Sequence, residues 1–316
     1  MTASHSLSAV RPANNMPLTA GSKGRIAKPP RVVLYGVEKI GKSSFAAGAP
    51  SPRFICSEDG TSELDVERFR EPRYWEEVRY CIDTLCRDPH DYKTVVLDTL
   101  DWLEPLCWRE VCRAGSVPAL EDYGGGYGKG YDAARDVWRA LLDDLDELRD
   151  KRGMAVVLLA HSWIKSFKNP EGDDYDRYEM KLHQKSSKLI MEWADCVLFA
   201  TYETFTKKGK SDKKAKGVAS GARVIHTQRT AAWDAGNRYD LPETLPLDWD
   251  AFAEAMKARA PEEPAKLKDR IGQMLDGVKD KDLHARVTAA VAKVGDDAAQ
   301  LARIANKLAA TVEGKD

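Results

Sequence analysis

The chain has 316 residues, enough for one large α/β domain and a small appendage. Its 49 basic and 50 acidic side chains nearly cancel, which excludes a protein that grips nucleic acid through a global positive field and leaves only local patches for that purpose. Six scattered cysteines (Cys56, Cys81, Cys86, Cys107, Cys112, Cys196) form no C-x-x-C pair, so a zinc site or disulfide framework is not expected. No apolar run reaches membrane-spanning length and the amino terminus has no signal-peptide core, so the sequence predicts a soluble, cytosolic protein with no membrane partner.

Residues 1–28 are rich in Ser, Ala, Pro, Asn and Gly without periodicity, which predicts a disordered tail. Arg31-Val32-Val33-Leu34-Tyr35 then reads as a short buried strand. It runs into Gly36-Val37-Glu38-Lys39-Ile40-Gly41-Lys42-Ser43, a complete G-x-x-x-x-G-K-S phosphate loop, followed by helix-compatible Ser44-Phe45-Ala46-Ala47. That strand–loop–helix context is what the motif requires. The glycines let backbone N–H groups wrap a phosphate, and the helix start adds partial positive charge. Lys42 reaches the β/γ-phosphates and the Ser43 hydroxyl binds Mg²⁺. Glu38, Lys39 and Ser44 complete the segment expected to line a nucleotide.

Phe54–Cys56 is the next strand candidate and ends in Ser57-Glu58-Asp59-Gly60. A glutamate at a strand's carboxyl edge orients and polarises the water that attacks a γ-phosphate; Asp59 competes for this role, and Glu-Asp-Gly also reads as a plain turn. Trp75 to Leu85 has helical apolar spacing. Val95-Val96-Leu97-Asp98 is a Walker B pattern, in which Asp98 would hold Mg²⁺ through water, opposite Ser43; the other reading is a strand-terminal cap. Tyr131 to Arg149 is a long amphipathic helix. The strand Ala155–Ala160 ends at His161, either a sensor that hydrogen-bonds the γ-phosphate or an ordinary strand-end histidine.

Val197–Ala200 and Val224–Thr227 are further strands, with the basic run 207–216 between them as the loop of a late antiparallel hairpin. Strands alternating with helices predict an α/β fold: a mostly parallel sheet with crossover helices. The core, residues 29–259, closes near Leu247-Asp248-Trp249. A linker over 260–266 leads to residues 267–316, where Leu267 to Val312 reads as two or three amphipathic helices, broken near Gly277–Lys281 and Gly295–Asp297.

The order of these pieces resembles the RecA-like ATPase core, and no N-K-x-D guanine-reading motif is apparent, so the nucleotide implied is ATP. Glu58 stands where RecA has its catalytic glutamate, Asp98-Thr99 is similar to its Walker B Asp-Ser, and His161 replaces its sensor glutamine. More specifically, Pro29 to Phe252 resembles the phage-encoded nucleotide-binding proteins of the RecA-like single-strand annealing type. The resemblance rests on Leu34-Tyr35-Gly36, Tyr127-Gly128-Lys129-Gly130-Tyr131, Leu159-Ala160-His161 and Asn237-Arg238-Tyr239-Asp240-Leu241-Pro242; Gly236 stands where a lysine often precedes Asn-Arg.

This resemblance implies a DNA-stimulated ATPase of low intrinsic turnover in the cytoplasm of a phage's host. It would bind single-stranded DNA as a homo-oligomer, filament or ring, promote annealing or strand exchange, and work beside phage or host replication and recombination proteins. A replicative helicase or helicase loader, and a nucleotide-sensing module with little turnover, are the other readings. Two DNA loops follow from the alignment. In the first, residues 122–131, Tyr123, Tyr127 and Tyr131 would stack bases and Lys129 would neutralise a phosphate. In the second, residues 163–185, Trp163, Lys165, Phe167, Lys168 and Arg177 would do the same; packing of the tyrosines on the core, and a solvated surface loop, are the alternatives. Arg238 is the implied cation that reaches a neighbour's γ-phosphate in trans, with Arg229 and Lys39 as rivals and a pairing with a nearby carboxylate as the alternative.

Overall fold

The computed structural model describes residues 28–207, 216–257, 264–278 and 280–312. The predicted tail up to residue 27, residues 208–215 of the basic run, and 258–263 around the predicted linker lie outside the described residues. The chain divides into two compact units, Lys28–Ala260 and a second that holds Pro261–Asp316.

In the first unit, the apolar runs become strands buried on both faces, as a parallel sheet covered by helices demands. These are β1 (Arg31–Gly36), β2 (Pro52–Cys56), β4 (Thr94–Asp98) and the first halves of β5 (Ala155–Phe167) and β7 (Cys196–Lys207). Short β3 (Glu67–Arg68) extends one edge. On the other edge, β8 (Lys216–His226) and β10 (Thr244–Pro246) run antiparallel. The strand order is β10-β8-β7-β1-β5-β4-β2-β3, with β6 (Tyr175–Met180) paired to β5 and β9 (Gly236–Asn237) to β7. This is the expected mostly parallel sheet with a late antiparallel hairpin.

Alternation along each strand sorts side chains to two faces and so builds two cores. On one face, Tyr35, Leu97, Val156 and Leu158 pack with helices α2 (Trp75–Arg87), α3 (Leu100–Gly115), α4 (Lys129–Arg152) and α5 (Gln184–Trp193). Trp138 of α4 is fully buried there, edge-on to Trp75 at 5.0 Å. On the other face, Leu34, Val96 and Leu159 pack with α1 (Lys42–Ala47) and α6 (Trp249–Lys257), whose Trp249 and Phe252 lie 5.2 and 5.7 Å from the Phe45 ring.

One element goes beyond the sequence reading and another departs from it. Helix α3 carries Pro105 in its interior, where a missing N–H normally argues against a helix. The segment expected as a second loop is instead an antiparallel hairpin, Ser162–Phe167 against Tyr175–Met180, followed by α5. In the second unit, Leu267, Ile271 and Leu275 on α7 (Pro264–Asp276) meet Leu301, Ala305 and Leu308 on α9 (Ala298–Val312), with α8 (Lys281–Val294) between them in the chain. The four- and three-residue spacing puts each set on one helical face.

Candidate functional site

Register places the site. Gly36 pairs with His161 and Asp98 with Leu159, while Cys56 pairs with Asp98, so the carboxyl ends of β1, β5, β4 and β2 meet along one sheet edge. Such an edge is where ligands bind in open α/β sheets. A cleft of 610 Å³ opens there, lined by Glu38, Lys39, Gly41, Lys42, Ser43, Ser44, Glu58, Asp98 and His161, with Asp59, Thr99, Trp102 and Lys181 on its walls.

The loop between β1 and α1 has the backbone its glycines allow. A Cβ on Gly36 would lie 2.3 Å from the Ala200 carbonyl oxygen of β7, so no other residue fits between these strands. Gly41 sits at φ 109° and Lys39 at φ 58°, both left-handed. The buried Lys42 ammonium donates to the carbonyls of Val37 and Gly36 at 2.9 and 3.2 Å, folding the loop around its own cation. Burial pushes the Lys42 pKa down, against the raising pull of Asp98 and other carboxylates.

Ser43 Oγ donates to Asp98 Oδ2 at 2.6 Å. Burial pushes the Asp98 carboxyl above its usual range, partly offset by that hydrogen bond. These two oxygens are the hard donors that suit Mg²⁺, which usually takes one or two protein oxygens and completes its shell with phosphate and water. The donor set, a buried lysine and a glycine-shaped loop therefore fit a magnesium–triphosphate ligand.

Around them stand contacts for which the sequence reading gave no place in this cleft. Thr99 Oγ1 donates to Glu58 Oε1 at 3.2 Å, aiming that carboxylate from β2 toward the end of β4. Ser57 Oγ ties the same strand ends, donating to Thr99 O at 2.8 Å and accepting from its N–H at 3.0 Å. Asp101, in the first turn of α3, accepts from the His161 N–H and bonds its Nδ1, each at 2.9 Å, which among the described residues leaves Nε2 as the unengaged ring nitrogen. Burial raises the Asp101 pKa, but the His161 hydrogen bonds outweigh it and hold the carboxyl below its ordinary range. Lys181 reaches the cleft because the hairpin returns there, its N–H donating to His161 O at 2.9 Å. Nothing in local spacing announces Lys181; Asp101 was legible only as a second carboxylate three residues after Asp98.

Residues 28–239 match the family model described as an AAA domain. The chain belongs to this family. All the cleft residues named above fall inside the matched span. The chain is also similar to the SPbeta prophage-derived uncharacterized protein YorG of Bacillus subtilis (strain 168), 19% identical over 217 residues. That alignment covers 67% of this chain and 60% of the relative, so the chain spans less than two thirds of that protein's length.

The AAA domain does not bring every expected residue to this cleft. Arg238 N–H donates to Asp195 O at 3.0 Å and its Nη1 pairs with Asp195 Oδ1 at 3.3 Å. Asp195 precedes β7, beside Arg31 at the start of β1, so Arg238 lies a strand length, roughly 17 Å, from its own phosphate loop. Within its own chain Arg238 takes the carboxylate pairing that the sequence left open. Arg229 pairs with Asp234 at 3.1 Å, whereas Lys39 lines the cleft.

The aromatic and basic candidates also separate. Tyr123 packs against the core, and Tyr131 stacks on His183 at 4.1 Å while its hydroxyl donates to Glu121; glycines around them bend the chain so that both rings turn inward. Tyr127, at φ 55° and 99% exposed, is the one that projects. Lys129 Nζ donates to Gly124 O at 2.9 Å yet stays exposed. On the hairpin, Trp163 is 42% exposed with Lys165 over its ring at 5.8 Å. Phe167 packs on Tyr175, and Lys168 pairs with Asp174. Arg177 is buried, pairs with Asp234 at 2.7 Å and sits 5.2 Å from the Phe167 ring, so it props the hairpin rather than offering a free cation.

Proposed function

We propose that this AAA domain binds ATP with Mg²⁺ in the cleft and hydrolyses it, and that it does so as a RecA-like phage recombination protein assembled on single-stranded DNA. The observation that carries the ATPase reading is the convergence of Lys42, the Ser43–Asp98 pair, Glu58 and His161 at one sheet edge. Lys42 holds the β/γ-phosphates; Ser43 and Asp98 are the residues that would hold the metal, which when bound would supply neutralisation of phosphate charge. Glu58, oriented by Thr99, takes the proton of the attacking water. His161, fixed by Asp101, presents Nε2 to the γ-phosphate.

The deciding experiment separates binding from chemistry. Glu58→Gln keeps size and hydrogen bonding but loses the base, so ATP affinity stays near wild type while turnover falls by about two to four orders of magnitude. Normal turnover in Glu58→Gln with lost turnover in Asp59→Asn would move the base to Asp59.

The DNA part of this reading rests on the exposed aromatic and basic side chains of the hairpin and on Tyr127. The phage part rests on the sequence resemblance and on the prophage origin printed for the relative. Promotion of annealing or strand exchange, and an oligomer with Arg238 of one copy at the nucleotide of the next, belong to the same proposal. A helicase or helicase loader differs by showing processive unwinding or delivery of another motor.

A further inference from the structure

The phosphate loop is held from outside as well as from within. Arg223 lies on β8, opposite Tyr202 of β7, and its carbonyl accepts from the Leu247 N–H at 3.0 Å. Its backbone is therefore tied into the sheet on both sides. From that fixed base the exposed side chain reaches across to the loop, and Nη1 donates to the Ile40 carbonyl at 3.2 Å. The guanidinium is so close that a Cβ on Gly41 would lie 2.7 Å from Nη1. Ile40 is itself fully buried, so the loop is anchored below by an apolar side chain and above by a cation.

We propose that Arg223 is a positioning residue for the phosphate loop and sets nucleotide affinity. This inference rests on the ATP-binding reading above. The Ile40–Gly41 peptide is planar, and its C=O and N–H point in opposite directions. With the carbonyl turned out to Arg223, the Gly41 N–H is turned to the cleft that Gly41 lines. The charge of Arg223 polarises the same peptide, and a hydrogen bond from a charged donor is stronger than a neutral one. The glycine at 41 is required for its φ of 109°, and a side chain there would also push the guanidinium off the Ile40 carbonyl.

Because the peptide is oriented before any phosphate arrives, Arg223 contributes equally to ground-state and transition-state binding. Its loss raises Kd and KM and spares kcat. The test uses the full chain, with calorimetric titration of MgATP and MgADP and steady-state kinetics. Arg223→Met is expected to weaken both nucleotides about tenfold, with kcat at saturation within about twofold. Arg223→Lys, which keeps a donor and the charge, should recover part of the affinity. A folded Arg223→Met protein with wild-type Kd, or one whose whole defect lies in kcat, overturns the inference. Should Arg223→Met not fold, an Arg223→Lys protein with a shifted kcat and unchanged KM overturns it equally. Lys42→Ala keeps the two readings apart: wild-type binding there defeats the ATP site itself, whereas lost binding there with unchanged affinity in Arg223→Met defeats only the role of Arg223.

Discussion

At the scale of single residues the cleft is built from groups held in conditions they do not favour alone. Lys42 is charged and buried, with backbone carbonyls rather than a carboxylate as its hydrogen-bond partners. Burial lowers its pKa, so the unfolded chain binds that proton more tightly than the folded one does. The resulting penalty is present below the folded pKa and disappears as pH rises through the unfolded value near 10.5. Phosphates relieve it by supplying the missing anion. Lys42→Met should therefore abolish MgATP binding while leaving the Tm of the nucleotide-free protein at neutral pH equal to wild type or higher. A clear drop in that Tm would show that the lysine earns its place structurally. Much of this site was legible beforehand, because a phosphate loop fixes residue types at fixed spacing. The contact of Thr99 with Glu58 and the parts played by Asp101 and Arg223 were not, because each acts through a partner brought near only by strand order.

Elements show where pattern reading succeeds and where it stops. Buried strands and the long amphipathic α4 follow from apolar runs and helical period. The order β1-β5-β4 does not, since no local feature says which strands become neighbours. The glycine-rich stretch before α4 has no period, so nothing in it separated the inward Tyr123 and Tyr131 from the outward Tyr127. The hairpin was hidden for a different reason: its cations and aromatics look like a solvated loop until β6 supplies a partner. This division gives a sharper expectation for DNA. Tyr127→Ala and Trp163→Ala should each weaken single-strand binding by about 1–3 kcal/mol, as loss of a stacked base does, and Lys165→Ala should flatten the salt dependence. Arg177→Met should instead loosen the hairpin, read as faster amide exchange over 162–180. Unchanged affinity and salt slope in the first three variants would reduce these side chains to ordinary surface.

For the molecule as a whole, the question is whether one copy completes another. Asp195 bonds Arg31 at 2.9 Å and Arg149 at 3.2 Å as well as Arg238, whose side chain is 61% exposed. Removing Arg238 leaves the carboxylate with two arginines, so the fold should lose no more than about 1 kcal/mol, as for other exposed ion pairs. A large ATPase defect in Arg238→Ala would then belong to an assembly. Mixing Arg238→Ala with Lys42→Ala protein should restore part of the activity that each lacks alone, because some boundaries pair an intact loop with an intact arginine. An arginine supplied in trans is worth about 10³–10⁵ in rate in the best-known cases. No recovery on mixing, with co-assembly shown by sedimentation, would leave Arg238 as a partner of Asp195 alone.

The course of β5 has a thermodynamic consequence. One continuous strand carries His161 at the cleft and, two residues later, Trp163 at the base of the hairpin that ends roughly 20 Å away at Phe167. There is no joint between them to absorb a displacement, so on the proposed reading the strand is a lever with ATP at one end and DNA at the other. Linkage then runs both ways: whatever factor ATP adds to the hairpin's grip on a strand of DNA, that DNA must add to the grip on ATP. Measured in both directions, the two factors must agree.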